Sequence, residues 1–163
     1  MGTIKVSWKE IETACRHLAK KLEKNNYEAV VCIASGGLVP GKLLSELLQL
    51  PLGIVVSKRY NKNNCPDKKS FFDANVKWCC ENAEPKKILL VDDLVDEGKT
   101  MEQIIGSINA KALIPGLKTI DIAVIYYKNK NSSLQSRQKV HYYKTTENWI
   151  IFPWELQQGK KSQ

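Results

Sequence analysis

One segment constrains this chain more than any other: residues 88–100 read Ile-Leu-Leu-Val-Asp-Asp-Leu-Val-Asp-Glu-Gly-Lys-Thr. The four leading apolar residues predict a strand that is buried on both faces. Asp92 and Asp93 then stand at the carboxyl end of that strand, which is where open α/β sheets bind their ligands. A third carboxylate, a glycine and a threonine follow, and a helical pattern begins directly after them. This order suits a sugar diol, a metal ion and a phosphate together, and indicates a phosphorylated sugar as substrate.

The same segment excludes a P-loop. Gly98-Lys99-Thr100 matches the end of the pattern G-x-x-x-x-G-K-[ST], but that pattern requires a glycine at position 93. Position 93 is an aspartate, so the phosphate cradle of a P-loop cannot form here. The alternative of an acidic loop without function stays open at this stage.

Composition indicates one globular domain spanning residues 1–163. The chain is 43% hydrophobic and 26% charged, which is ordinary for a soluble globular protein. No apolar run reaches membrane-spanning length and the N-terminus lacks the apolar core of a signal peptide, so we expect a cytoplasmic protein without a membrane span. The five cysteines lack the spacing of a zinc or redox site, and reduced thiols are expected.

The formal net charge of +8 raises the question of a nucleic-acid partner. The basic residues are spread along the chain, however, without an arginine-rich stripe or a nucleic-acid motif. Attraction of a polyanionic small substrate accounts for the charge equally well. We therefore expect a small-molecule substrate rather than nucleic acid.

Apolar periodicity divides the chain into alternating strands and helices. A first helix is predicted from Trp8 to about Leu22, with Ser7 and Glu10 as a capping box. The predicted strands are Ala29 to Ala34, Leu52 to Val56, Ile88 to Val91, Thr119 to Tyr127 and Val140 to Tyr143. The buried face of a second helix would carry Leu43, Leu44, Leu47 and Leu48, and that of a third, beginning near Thr100, would carry Ile104, Ile105 and Ile108. This alternation predicts an α/β fold with a mostly parallel, doubly wound sheet.

Two segments interrupt the alternation. Residues 58–87 are polar, lysine-rich and poorly periodic, which is typical of a functional lid or a flexible hairpin. Residues 148–155 form the last predicted ordered unit, and residues 157–163 are predicted to be a frayed polar tail.

Residues 88–100 resemble the signature of the type I phosphoribosyltransferases, enzymes that use phosphoribosyl pyrophosphate (PRPP). The family pattern is an apolar strand, two acidic residues, two variable residues and Asp-x-Gly-x-Thr. The resemblance implies that Asp92 and Asp93 hold the ribose hydroxyls and supply the Mg²⁺ contact, with Asp93 preferred for the metal. It also implies a binding loop for the 5′-phosphate of PRPP, made of Asp96, Glu97, Gly98, Lys99 and Thr100. Asp96 would in addition act as general acid/base at the base nitrogen.

A second segment, residues 35–41, is similar to the pyrophosphate loop of the xanthine-guanine phosphoribosyltransferases. That loop reads Arg-Gly-Gly-Leu-Val-Pro-Gly, and the resemblance implies that Ser35, Gly36 and Gly37 contact the pyrophosphate of PRPP. Ser35 replaces the arginine of the pattern, and loss of that guanidinium should weaken pyrophosphate binding unless another cation compensates. The candidate cations are Lys42, Lys58, Arg59, Lys68 and Lys69.

The base pocket is implied by the last third of the chain. Lys128 follows a strand at the position where the purine enzymes keep a lysine that donates to the 6-oxo group. Trp149 and Ile150 resemble an aromatic–aliphatic pair that sandwiches the base in a C-terminal hood, here about residues 140–156. A solvent-facing role for Lys128 and a core-packing role for Trp149 are the open alternatives, and core packing is favoured for Trp154.

Together these segments identify the chain as resembling a purine-salvage phosphoribosyltransferase. The resemblance implies transfer from PRPP to guanine, xanthine or hypoxanthine, with Mg²⁺ as cofactor, pyrophosphate as product and a homo-oligomeric state. Two alternatives stay open. One is a regulator that kept the PRPP site as a sensor and binds nucleic acid. The other is a transferase that uses a pyrimidine or another acceptor.

Overall fold

The computed structural model describes residues 2–60, 71–79, 83–128, 134 and 138–155. The helices are α1 (Trp8–Leu22), α2 (Leu38–Leu48) and α3 (Lys99–Ala110), with a 3₁₀ turn at Glu23–Asn25. The strands are β1 (Thr3–Lys5), β2 (Ala29–Ala34), β3 (Leu52–Tyr60), β4 (Phe71–Trp78), β5 (Lys87–Val95), β6 (Thr119–Tyr127), β7 (Val140–Thr145) and β8 (Trp149–Ile151). Among the described residues, no helix is long and apolar enough to cross a membrane.

Six strands form the main sheet in the order β4-β3-β2-β5-β6-β7. All neighbouring pairs are parallel except β3 with β4. The central strands are near-continuous apolar runs because both of their faces are covered. The predicted α/β fold with a mostly parallel sheet is confirmed.

Different helices cover the two faces of the sheet. On β5, Leu89 and Val91 pack with α1 and α2, whereas Ile88 and Leu90 pack with α3, and all four side chains are fully buried. This division follows from the alternation of side chains along a strand. The prediction of a strand buried on both faces is therefore confirmed, and its carboxyl end is fixed relative to the helices on either side.

The first helix begins and ends as predicted, but its capping box is only half formed. The Ser7 hydroxyl accepts a hydrogen bond from the Glu10 N–H at 3.2 Å. The Glu10 carboxylate instead accepts hydrogen bonds from the Tyr126 hydroxyl at 2.9 Å and the Lys144 amine at 2.7 Å. Glu10 thus ties α1 to the carboxyl ends of β6 and β7. On α2, the prediction that Leu47 lies in the core is wrong, because its side chain is 38% exposed beside α1.

The described part of residues 58–87, predicted to be a functional lid or a flexible hairpin, contains a strand that pairs with β3 as in a hairpin, and the role of a lid stays a prediction. Strand β3 continues to Tyr60, and β4 pairs with it antiparallel from Gly53↔Trp78 to Tyr60↔Phe71. The sequence pattern missed β4 because an edge strand has a polar side: within residues 74–78, whose side chains are described, Ala74, Val76 and Trp78 pack toward the core and alternate with polar residues. The predicted lid residues 61–70 and 80–82 lie outside the described residues, as does the predicted tail at 157–163.

The structure also divides the predicted hood at residues 140–156. Residues 140–145 form β7, the sixth strand of the main sheet, in parallel with β6. Strand β8 belongs instead to a separate two-stranded sheet, where it pairs in parallel with β1. Strand β1 was not predicted, because a three-residue strand with one apolar side chain has no detectable period.

Candidate active site

The segments singled out in the sequence meet at one edge of the sheet. The loop at residues 35–37 follows β2, the loop at residues 96–98 follows β5, and Lys128 follows β6. Because β2, β5 and β6 are parallel neighbours, their carboxyl ends lie side by side at that edge. Open α/β sheets bind ligands at this position, so the topology alone marks a candidate site.

Asp92 and Asp93 form the centre of this edge. The Asp93 N–H donates a hydrogen bond to Asp92 Oδ1 at 2.9 Å. Burial raises the pKa of Asp92 well above its usual value, and the charge of Asp93 raises it further. Burial also raises the pKa of Asp93, to about 6, and the charge of Glu155 acts in the same direction. Within the described residues, no lysine or arginine offsets these charges, so the pair favours a cation or hydroxyl donors from a ligand.

The loop after β2 packs directly on this pair. A Cβ placed on Gly36 would lie 2.5 Å from Oδ2 of Asp93, and one on Gly37 would collide with the carbonyl oxygens of Val91 and Ile33. The peptide bond between Ala34 and Ser35 is cis. The close approach of this loop to β5, and of Gly37 to the main chain of β2, thus requires the two glycines. No sequence pattern predicts this contact, because it joins residues far apart in the chain.

The loop after β5 leads into α3. Gly98 has a φ of 82°, in the left-handed region that favours glycine, and α3 begins at the next residue. A cavity of about 420 Å³ lies over this loop and is lined by Asp92, Leu94, Val95, Asp96, Glu97, Gly98, Lys99, Thr100 and Met101. The first-turn N–H groups of a helix have no partners within the helix and suit an anion. The arrangement matches the predicted phosphate loop, although Lys99 forms an exposed ion pair with Glu97 at 2.5 Å.

Lys128 and Asp96 form an ion pair beside this cavity. The Lys128 amine donates to Asp96 Oδ2 at 2.9 Å and lies 5.8 Å from the ring centre of Trp149. Lys128 is only 7% exposed, so the alternative of a solvent-facing lysine is wrong. Trp149 is 63% exposed, which excludes the alternative of core packing and leaves its indole face available.

The structure does not bring Ile150 to the surface beside Trp149. Ile150 is 4% exposed and packs in the core that also contains Ile11 and Phe152. Successive residues of a strand point to opposite faces, so β8 directs Trp149 outward and Ile150 inward. Ile151 is the partly exposed aliphatic residue on the side of Trp149.

The C-terminal segment contains two further residues with defined contacts, Trp154 and Glu155. Trp154 stacks on Phe152 with ring centres 4.8 Å apart and contacts Trp8 at 5.8 Å, which confirms its packing role. Glu155 accepts a hydrogen bond from the Phe152 N–H at 3.1 Å, and its negative charge contributes to the raised pKa of Asp93. Sequence reasoning missed Glu155, since nothing in the pattern relates it to β5.

The cation that would replace the missing arginine of the pyrophosphate loop is not found on α2. Lys42 is exposed and pairs with Glu46 at 2.6 Å. The side chains of the other candidates lie outside the described part of the chain: Lys58, Arg59, Lys68 and Lys69.

Comparison with known proteins gives a consistent result. A model of the phosphoribosyl transferase domain matches residues 7–158. The xanthine-guanine phosphoribosyltransferase of Cereibacter sphaeroides is 32% identical over 162 residues, covering 93% of this chain and 86% of the relative. The xanthine-guanine phosphoribosyltransferase of Idiomarina loihiensis is 26% identical over 154 residues, with the same coverage of both chains.

Solved structures share the fold over nearly the whole chain. The purine phosphoribosyltransferase from Pyrococcus horikoshii Ot3 is 29% identical, has a TM-score of 0.74, and covers 96% of this chain and 95% of its own. The xanthine-guanine-hypoxanthine phosphoribosyltransferase of Helicobacter pylori is 21% identical, with a TM-score of 0.72 and 94% coverage of each chain. Because the matching domain includes the loops after β2 and β5, Lys128 and β8, this chain belongs to the phosphoribosyltransferase family.

Proposed function

We propose that this chain transfers the 5-phosphoribosyl group of PRPP to a 6-oxopurine, which is guanine, xanthine or hypoxanthine, and releases pyrophosphate. The observation that carries the proposal is the buried Lys128 amine, held by Asp96 at 2.9 Å and covered by the exposed indole of Trp149. A fixed donor next to an aromatic face suits a flat base with a carbonyl group. The xanthine-guanine phosphoribosyltransferases among the relatives support the same choice of base.

Asp92 and Asp93 are proposed to hold the ribose diol and a metal ion. Carboxylates accept hydrogen bonds from hydroxyls, and Mg²⁺ is commonly held by one or two carboxylates together with substrate phosphates. The raised pKa values of both groups reflect charges that the described protein residues leave uncompensated, and this donor set fits Mg²⁺. When bound, Mg²⁺ would neutralise charge on the leaving pyrophosphate.

The two loops are proposed to fix the ends of PRPP. Residues 96–100 would bind the 5′-phosphate at the start of α3, and residues 35–37 would bind the pyrophosphate. With both ends and the diol held, the anomeric carbon of the ribose is oriented toward the base. The bond from that carbon to the pyrophosphate oxygen breaks as the bond to the base nitrogen forms. Asp96, which accepts a hydrogen bond from Lys128, is proposed to take up the proton that the base loses.

Lys128 is proposed to select the base. An ammonium group donates hydrogen bonds and accepts none, so it favours the 6-oxo group of guanine, xanthine or hypoxanthine. Adenine presents an amino group at that position, which would leave two donors facing each other. The pair of Lys128 and Asp96 therefore disfavours adenine as well as binding the oxopurines.

The test is pyrophosphate release with PRPP and Mg²⁺, offered guanine, xanthine, hypoxanthine, adenine and uracil separately. We expect release with the 6-oxopurines alone. Lys128→Gln should lower kcat/KM for guanine at least tenfold, whereas Lys144→Gln should not, although Lys144 also pairs with a carboxylate, that of Glu10. Turnover with uracil alone would assign a pyrimidine acceptor. If no base led to pyrophosphate release but PRPP still bound, the assignment as an enzyme would be wrong and a PRPP sensor would be favoured.

A further inference from the structure

Strand β8, which carries Trp149, has a backbone partner that the sequence did not reveal. It lies outside the six-stranded sheet and pairs in parallel with β1, in the register Thr3↔Trp149, Ile4↔Ile150 and Lys5↔Ile151. Within the described residues, β1 is the one strand that pairs with β8. A strand of three residues is not stable alone, so the conformation of β8 depends on β1.

We propose that the N-terminal segment, residues 2–6, is the positioning element of the base-binding site and sets the place of Trp149. The inference rests on the proposed function, since it assigns Trp149 to the purine. It adds a part of the chain that none of the sequence motifs includes.

Backbone hydrogen bonds hold β8 at both of its ends. The Trp149 N–H donates to the carbonyl oxygen of Gly2 at 2.9 Å, and the Val6 N–H donates to that of Ile151 at 2.9 Å. In addition, the Gly2 N–H donates to the Asn148 side chain at 3.0 Å. Gly2 and Val6 are four residues apart, and every second residue of a parallel strand faces the same neighbour, so the N–H of Ile4, midway between them, is also directed toward β8.

Side-chain packing fixes the inward face of β8 and leaves the outward face to the backbone. Ile150 and Val6 are 4% and 6% exposed and share one core, against which Ile4 also packs. Trp149 is 63% exposed, so packing of its own ring does little to hold it. The position of the indole above Lys128 is therefore set by the main chain of β8, and through it by β1.

A positioned indole lowers the cost of binding a base. If β8 were free to move, binding would have to order both its backbone and the Trp149 side chain, and affinity for the base would fall. The loops at residues 35–37 and 96–100 have no strand pairing with β1. Loss of β1 pairing should therefore weaken purine binding and leave PRPP binding unchanged.

Two proline variants test this role in the full chain. Ile4→Pro removes the N–H that the ladder directs toward β8, whereas Thr3→Pro removes one directed away from it and is the control for the proline. Ile4→Ala, which keeps the N–H, is the control for the packing of the Ile4 side chain against the core. We expect Ile4→Pro to raise the KM for guanine about tenfold with the KM for PRPP unchanged within about twofold, and Thr3→Pro to change both by less than about threefold. Asn148→Ala removes the acceptor of the Gly2 N–H hydrogen bond without changing a residue of β1, and it should raise the KM for guanine but not the KM for PRPP.

Amide hydrogen exchange of residues 148–152 separates failure of this inference from failure of the proposed function. Exchange in that segment should accelerate in Ile4→Pro and remain as in the wild type in Thr3→Pro. Unchanged exchange, an unchanged KM for guanine, or an equal rise in both KM values would overturn the positioning role. If the wild type turned over no base at all, the proposed function would be wrong and the assignment of β1 to a purine site would fall with it, whatever the exchange rates.

Discussion

Replacing Asp93 with asparagine should stabilise the unliganded protein at neutral pH. Burial raises the pKa of Asp93 to about 6, compared with about 3.9 for an aspartate in an unfolded chain. The folded state therefore binds this proton more tightly, and stability falls as pH rises from about 4 through about 6 and stays reduced above that range. The difference of about 2 units corresponds to about 3 kcal/mol.

The expected gain is smaller than that figure because Asp92 titrates with Asp93. Ionisation of either carboxylate raises the pKa of the other, so the shift at Asp93 cannot be assigned to that residue alone. We therefore expect Asp93→Asn to raise the free energy of unfolding by about 1–3 kcal/mol at pH 7.5. For a chain of this size, about 1 kcal/mol changes the Tm by roughly 2–4 °C. Asp93→Asn should then raise the Tm by about 2–10 °C at pH 7.5. At pH 4 the gain should largely vanish, since the wild-type group is protonated in the folded state.

The assay is thermal unfolding at pH 4, 5.5 and 7.5 without Mg²⁺ or PRPP. Glu97→Gln is the control, since its carboxylate lies in the same loop region but is 57% exposed and paired with Lys99. It should show no comparable gain at pH 7.5. An Asp93→Asn variant that melts no higher than the wild type at pH 7.5, or that keeps the same gain at pH 4, would refute the reasoning. Under the proposed function the variant also loses turnover.

Two further predictions concern the loops. Asp96→Asn should lower kcat by about 10²-fold or more while the Kd for PRPP changes only a few-fold, because the variant removes a proton acceptor and leaves the main chain of the predicted phosphate loop unchanged. Initial-rate assays and PRPP titration measure the two quantities, and near-normal turnover would contradict the acid/base role. Gly36→Ala should weaken Mg²⁺-dependent PRPP binding and turnover together, since its Cβ would displace the Asp93 carboxylate, whereas Gly106→Ala, which meets no atom within 4 Å, should leave both unchanged. Equal behaviour of the two alanine variants in a PRPP titration would show that the contact of Gly36 with Asp93 has no role in binding.

The central part of the fold could be predicted because burial leaves a strong pattern. Strands covered on both faces are apolar throughout, so the bounds of β2 and β6 agree with the prediction. Edge strands carry no such pattern. Strand β4 was interpreted as part of a lid or a flexible hairpin rather than as a strand of the sheet, and β1 was missed, because the pairing of both depends on the tertiary structure.

The site was predictable as a set of residues but not as a set of contacts. Local motifs located the carboxylate pair, the predicted phosphate loop and Lys128, since each lies at the carboxyl end of a strand of the parallel sheet. The contact of Gly36 with Asp93 depends on how β2 and β5 lie side by side. The inward direction of Ile150 depends on the register of β8 with β1, which reverses every side chain if it slips by one residue.

The carboxylate pair connects stability with binding. Asp92 and Asp93 are held close together and partly buried, and their raised pKa values show that the folded, unliganded protein disfavours their charges. A cation and two hydroxyl groups from a ligand would offset the same desolvation and repulsion. Ligand binding to the wild type should therefore raise the Tm by the amount that the ligand concentration and the Kd give, and Asp93→Asn should remove the destabilisation and, because it weakens binding, most of that gain as well. The residues that reduce stability in the free chain are thus the ones that the proposed reaction requires.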